Sequence, residues 1–101
     1  MYNFTTQSST INAGRIVYMY TSNELNIAYV TSTNKCTFSY NLDLVQKSEA
    51  ERQMTEFSAI NNCSMTVAPG HPADLNVLCF FPDEMTDDEV LQSLNRYFNI
   101  K

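Results

Sequence analysis

The chain has 101 residues and a formal net charge of −5, and its six basic residues are scattered along it. A protein that binds phosphates needs several cations on one face, so this composition excludes direct nucleic-acid binding, and it excludes an anionic membrane surface by the same argument. No apolar run approaches the roughly 20 residues of a membrane span. We therefore expect one globular domain, residues 1–101, with a core of its own.

The cysteine count and the N-terminus indicate the compartment. The chain has three cysteines, an odd number, and it begins without a basic stretch or an apolar signal-peptide segment. Such a chain is expected to stay in the cytoplasm with its thiols reduced.

The first half of the chain predicts β-strands. Residues 15–20 and 25–32 are rich in β-branched and aromatic side chains, with polar hairpin residues between them. Residues 36–42 alternate between apolar and polar positions, which is the period of a strand with one buried face. Residues 3–8 carry a weaker signal for one more strand before these three.

The hydrophobic period changes at residue 48. Ala50, Met54 and Phe57 recur at helical spacing, which predicts an amphipathic helix over 48–61. Ser48 followed by Glu51 fits a capping box, in which the hydroxyl accepts from a first-turn amide and the carboxylate accepts from the cap amide.

Two more strands and a second helix complete the pattern. Residues 64–68 and 74–81 predict strands, and the second is apolar on both faces from Val77 onward, which is typical of a central strand covered on both sides. Thr86 with Glu89 gives a second capping-box pattern at the start of a helix over 86–98. We therefore predict an α+β fold of order β-β-β-α-β-β-α: a largely antiparallel sheet of about five strands with two helices packed on one face.

Catalytic and metal-binding patterns are weak. The best candidate for an enzyme or metal site is Cys63 with His71, because a Cys–His pair can activate a nucleophile. His71 lies in a proline-flanked turn, however, and its spacing to Cys63 and Cys79 is too wide for a zinc knuckle. The strand tyrosines lack the basic neighbours of a base-stacking surface and are better explained as core. We expect no enzyme, no metal and no other cofactor.

Residues 82–90 carry five carboxylates. Three of them fall in the first turn of the second helix, where the helix dipole stabilises them. The other two precede the cap and have no such explanation. Three glutamates of the first helix would join the same surface if the two helices ran parallel. The candidate partner-binding residues are Asp83, Glu84, Asp87, Asp88, Glu89, Glu49, Glu51 and Glu56.

An acidic surface of this size attracts basic partners. In size, acidity and lack of catalytic motifs the chain resembles two broad groups of small proteins: phage-encoded inhibitors of host machinery and bacterial immunity proteins that neutralise nuclease toxins. The resemblance implies a non-catalytic protein-binding module that docks on a basic nucleic-acid-handling protein such as a nuclease. The alternative is a structural or assembly protein that acts as a homodimer or larger homo-oligomer through an exposed apolar sheet edge.

Overall fold

Six β-strands and two α-helices make up the computed structural model, which describes residues 2–4 and 6–100. The predicted α+β class and element order are confirmed, and the sixth strand follows the weak N-terminal signal, although it begins and ends later than residues 3–8. No helix in the described part of the chain is long and apolar enough to cross a bilayer. The elements are β1 (Thr6–Asn12), β2 (Arg15–Thr21), β3 (Leu25–Val30), β4 (Lys35–Asn41), α1 (Lys47–Asn61), β5 (Ser64–Ala68), β6 (Asp74–Phe80) and α2 (Asp87–Phe98).

The strands form one antiparallel sheet in the order β1-β2-β3-β4-β6-β5. The first four strands are joined by successive hairpins. Ala13 and Gly14 connect β1 to β2 at φ values of 54° and 78°, the positive values that a two-residue hairpin loop of type I′ requires. β4 pairs with β3 on one side and with β6 on the other, and β6 pairs in turn with β5. β1 and β5 are therefore the edges of the sheet.

The core lies between one face of the sheet and both helices. Phe38 of β4, Phe57 of α1 and Phe98 of α2 meet at its centre, with ring centroids 5.5 to 5.7 Å apart. All three rings are fully buried, and aromatic pairs at this separation stabilise a core beyond the area that they bury. The prediction that the two helices pack on one face of the sheet is therefore confirmed.

Neither helix covers the opposite face of the sheet, which we call the open face. On β6, Val77 and Cys79 are buried on the helix side, whereas Phe80 is 43% exposed and Leu78 is half-buried on the open face. The prediction that this strand is central and covered on both sides is wrong. β6 lies next to an edge, and its second apolar row faces away from the helices.

The two helices begin differently. α2 has the predicted capping box: Thr86 Oγ1 accepts from the Glu89 amide at 3.2 Å, and the Glu89 carboxylate accepts from the Thr86 amide at 3.0 Å. The predicted Ser48–Glu51 box of α1 is wrong. That helix begins one residue earlier than predicted, and its cap residue, Gln46, makes no capping hydrogen bond through its side chain. Ser48 therefore lies inside the first turn, where it cannot act as the cap.

The path of the chain makes the two helices antiparallel. β4 runs from Lys35 to Asn41, and α1 starts from the Asn41 end of the sheet. β6 pairs antiparallel with β4, with Asp74 opposite Asn41 and Phe80 opposite Lys35, so α2 starts from the Lys35 end. The N-termini of the two helices therefore lie at opposite ends of the sheet.

Replacing Phe57 with alanine should lower the free energy of unfolding by about 3–5 kcal/mol, because a fully buried ring leaves a cavity between both helices and the sheet. Urea denaturation measures the change. Ile60→Ala is the matched control, since Ile60 lies on the same helix and is 66% exposed. It should change the free energy by about 0.5 kcal/mol or less. Equal losses in the two variants would contradict the central position of Phe57.

Candidate partner-binding site

Residues 83–89, which we call the acidic segment, lie at the Lys35 end of the sheet. Pro82 follows β6 and has no N–H with which to continue the ladder. The Met85 amide donates to the Pro82 carbonyl at 3.0 Å, which closes a turn, and Thr86 then caps α2. The acidic segment is therefore half turn and half first turn of a helix.

Asn34 links this turn to the sheet. Its side-chain amide donates to the carbonyl of Pro82 at 2.9 Å and to that of Met85 at 3.0 Å. The main-chain carbonyl of Asn34 accepts from the Phe81 main-chain amide at 2.8 Å. Asn34 lies in the turn between β3 and β4 at φ 54°, a left-handed conformation that asparagine adopts more readily than most residues. The β3–β4 turn thus holds the acidic segment in place.

Asp87 provides a second link. Its Oδ1 accepts from the Tyr29 hydroxyl at 2.6 Å and from the Ser32 amide at 3.0 Å. Burial, followed by the hydrogen bond to the Asp87 carboxylate, raises the pKa of Tyr29, so the phenol stays protonated and donates at neutral pH. Asp87 therefore ties the start of α2 to the β3–β4 turn, and its carboxylate is already engaged.

The remaining carboxylates of the acidic segment fall into two groups. Glu89 is engaged in the capping box, and the hydrogen bonds from the backbone and side chain of Thr86 lower its pKa. Asp83, Glu84 and Asp88 are exposed and form no ion pair or side-chain hydrogen bond with the described residues. These three carboxylates are available to a partner, and we call them the free acids.

The glutamates of α1 are arranged differently. The Arg52 guanidinium lies 2.6 Å from Glu49 and 3.6 Å from Glu56, and its hydrogen bond lowers the pKa of Glu49. Glu56 also accepts from the Tyr97 hydroxyl at 2.7 Å. Glu51 is exposed and has no such partner in the described part of the chain.

The structure does not bring the α1 glutamates to the acidic segment. Glu49 lies in the first turn of α1, at the Asn41 end of the sheet. Tyr97, which Glu56 contacts, follows Asp87 along α2 by about 15 Å at the helical rise of about 1.5 Å per residue. The sequence prediction joined these residues only if the helices ran parallel, and they run antiparallel. The eight predicted residues therefore form two separate sets.

Cys63 and His71 are also apart. Cys63 precedes β5 and His71 follows it, so the length of the strand, about 17 Å, separates them. His71 Nδ1 accepts from the Ala73 amide at 3.1 Å. Cys63 instead neighbours Cys79: their hydrogen bond lowers the pKa of Cys63 and, together with burial, raises that of Cys79. No nucleophile–base pair forms here, and no group of acids, histidines and cysteines in the described residues has a metal-binding arrangement.

No protein-family model, curated protein sequence or solved structure matches this chain. Its function must therefore be argued from its own residues.

Sequence reasoning missed the residues that position the site. Residues 33–35 are readable as a turn, and asparagine is typical of positive φ, but the bond from Asn34 to Pro82 spans 48 residues. The Tyr29–Asp87 bond spans 58. No local pattern carries either contact, because both depend on β6 lying beside β4.

Asn34→Gly tests this link. Glycine tolerates φ 54°, so the change removes the two side-chain hydrogen bonds without straining the turn. The free energy of unfolding should fall by about 1–3 kcal/mol, and the Met85 amide should exchange faster in hydrogen-exchange measurements.

The control for that prediction is Asn62→Gly. Asn62 has φ 55° at the end of α1 and makes no side-chain hydrogen bond with the described residues, so this variant carries the same change in backbone freedom. It should leave the exchange of Met85 unaltered. Equal effects of the two changes would mean that the turn is held without the Asn34 side chain.

Proposed function

We propose that this chain is a non-catalytic protein-binding module that inhibits a basic nucleic-acid-handling protein, such as a nuclease, by covering its phosphate-binding site. Asp83, Glu84 and Asp88 would make the contact. The observation that carries the proposal is that these exposed carboxylates have no partner in the described residues and yet lie on a turn that Asn34 and Asp87 hold in place.

Electrostatics favours a basic partner. Sites that bind nucleic acid collect lysine and arginine on one surface, and a compact group of carboxylates complements such a surface in charge. Complementary charge raises association rates and disfavours acidic competitors. Exposed Lys35 starts the neighbouring strand β4, but none of the described ion pairs joins it to the free acids, so they remain accessible.

The fixed geometry of the turn adds to the argument. A flexible acidic tail loses conformational entropy when it binds, and this loss weakens the complex. Here the turn is already ordered by hydrogen bonds from Asn34 to Pro82 and Met85. The backbone positions of Asp83 and Glu84 are thus set before a partner arrives, which favours a basic surface of matching shape over other basic surfaces.

Neutralising Asp83 and Glu84 tests the proposal. The chain is used to capture protein from bacterial lysate at about 50 mM and at about 500 mM salt, where screening differs strongly. Mass spectrometry quantifies the captured protein. We expect basic nucleic-acid-binding proteins to be retained at low salt and reduced about tenfold by Asp83→Asn/Glu84→Gln. Folding should be unaffected, because neither side chain has a structural contact in the described residues.

The matched control is Asp43→Asn/Asp74→Asn. It removes the same charge from two exposed residues at the Asn41 end of the sheet. A partner that both double variants lose equally would reflect net charge alone. A partner that is retained by Asp83→Asn/Glu84→Gln, or that is held equally at both salt concentrations, would contradict docking through the free acids.

A second candidate is a homo-oligomeric assembly protein. Apolar side chains are exposed on the edge strands at Ile11 and Val67, and on the open face at Met19 and Phe80. In the strand register, the charged residues of the open face are Arg15, Lys35 and Asp74. The open face is thus close to neutral, although the chain has a net charge of −5. Two copies would therefore repel each other least if they met through their open faces.

Met19→Lys tests this candidate, because it places a charge among the exposed apolar side chains of the open face. Sedimentation equilibrium at about 1 mM protein, where even weak dimers form, should show a dimer for the native chain and a monomer for the variant. Ile60→Lys, an exposed change on α1, is the control and should leave the dimer intact. A native chain that stays monomeric at this concentration removes the candidate.

A further inference from the structure

The edge strand β5 borders a groove that contains none of the free acids. β5 is last in the sheet order and pairs with β6 on one side only. Its outer backbone N–H and C=O groups have no partner strand in the described residues, and such an edge can accept another extended chain.

The groove lies between β5 and α1 and has a volume of about 360 Å³, within the range of ligand-binding pockets. Its floor is apolar: Met54, Leu75 and Val77 line it and are at most 6% exposed. Met65 and Val67 of β5 form the outer wall, and Val67 is 63% exposed. An apolar side chain placed beside β5 would cover this surface.

The opposite wall is a polar stripe on α1. Glu51, Thr55 and Ser58 line the groove and recur at the i, i+4, i+7 spacing that places residues on one side of a helix. A few polar groups around an apolar floor are what orients a ligand in a pocket. Glu51 is the charged member of this stripe.

We propose that this groove binds an extended peptide that adds to β5 as a further strand, places an apolar side chain on the groove floor and sets a basic side chain beside Glu51. This inference does not rest on the function proposed for the free acids. It concerns a different part of the surface and a linear ligand in place of a folded one.

Charge decides between such a peptide and a second copy of the chain. Glu49 and Glu56 are paired with Arg52, whereas Glu51 has no ion pair with the described residues, so it offers a free carboxylate. Pairing of two β5 strands around a two-fold axis would bring together two α1 helices that each carry more acidic than basic residues. A peptide with a lysine or arginine beside Glu51 would instead be attracted by that carboxylate.

The strand also sets the length of the ligand. β5 has five residues and is followed by Pro69, which has no N–H to offer. About five ligand residues can therefore pair. Because side chains alternate along a strand, every second one would point to the groove and the others toward the open face.

Panning a random peptide library displayed on phage against the native chain tests the inference. The enriched peptides should share apolar residues at alternate positions with a basic residue beside them. In NMR titrations with a synthetic enriched peptide, the shifted amides should lie in β5 and on the groove side of α1. Methylating the peptide's backbone nitrogens at alternate positions should abolish binding in one register and spare it in the other, as strand addition requires.

Two charge variants locate the site. Glu51→Lys should weaken binding of the enriched peptide about tenfold, and exchanging the peptide's basic residue for glutamate should restore it. Glu84→Lys, the same change in the acidic segment, should alter binding by less than about twofold. A tenfold change in affinity corresponds to about 1.4 kcal/mol of binding free energy.

The contrary outcomes are equally clear. Failure of the library to enrich any peptide would overturn the inference. So would enriched peptides that bind Glu51→Lys as well as the native chain, or amide shifts outside β5 and α1. Peptides weakened by Glu84→Lys but not by Glu51→Lys would place the contact at the free acids, which supports the proposed function and rejects the groove.

Discussion

The contact among Phe38, Phe57 and Phe98 is the constraint on which the rest of the structure depends. The rings from both helices meet the same residue of β4, at centroid distances of 5.5 and 5.7 Å, so both helices must lie on one face of the sheet. That leaves the open face uncovered. It also places α1 close to β5 without covering the edge of that strand, and the space left over is the groove. Two candidate surfaces are thus consequences of one aromatic contact.

The insertion of β6 beside β4 has the second large effect. It reverses the direction of α2 relative to α1, so the positive ends of the two helix dipoles lie at opposite ends of the sheet. Each helix start has its own acids, Glu49 on α1 and residues 87–89 on α2, as dipole stabilisation favours. Parallel helices would have brought both groups to one end and added to their mutual repulsion.

Local features were predictable from the sequence, and contacts between distant segments were not. The strand at 64–68 matches β5, and the strand at 36–42 lies within one residue of β4, because alternation is a property of the strand itself. The Thr86–Glu89 box is likewise local. The sequence does not distinguish apolar residues on a covered face from apolar residues on an exposed one. The burial of Leu78 and Phe80 on β6 was therefore misjudged. The Asn34 and Asp87 bonds depend on strand order, which sequence periodicity does not contain.

The acidic segment shows how structure and binding divide the same run of residues. Asp87 and Glu89 are engaged in hydrogen bonds that fix the turn and the helix start. Asp83, Glu84 and Asp88 make no contact that stabilises the fold within the described chain, and like charges this close repel one another. Asp88 lies in the first turn of α2, where the helix dipole stabilises it. Asp83 and Glu84 precede the cap, so nothing in the described fold offsets their repulsion. An interaction with an opposite charge outside the chain would offset that repulsion, which is why the free acids, and not the whole acidic segment, carry the binding hypothesis.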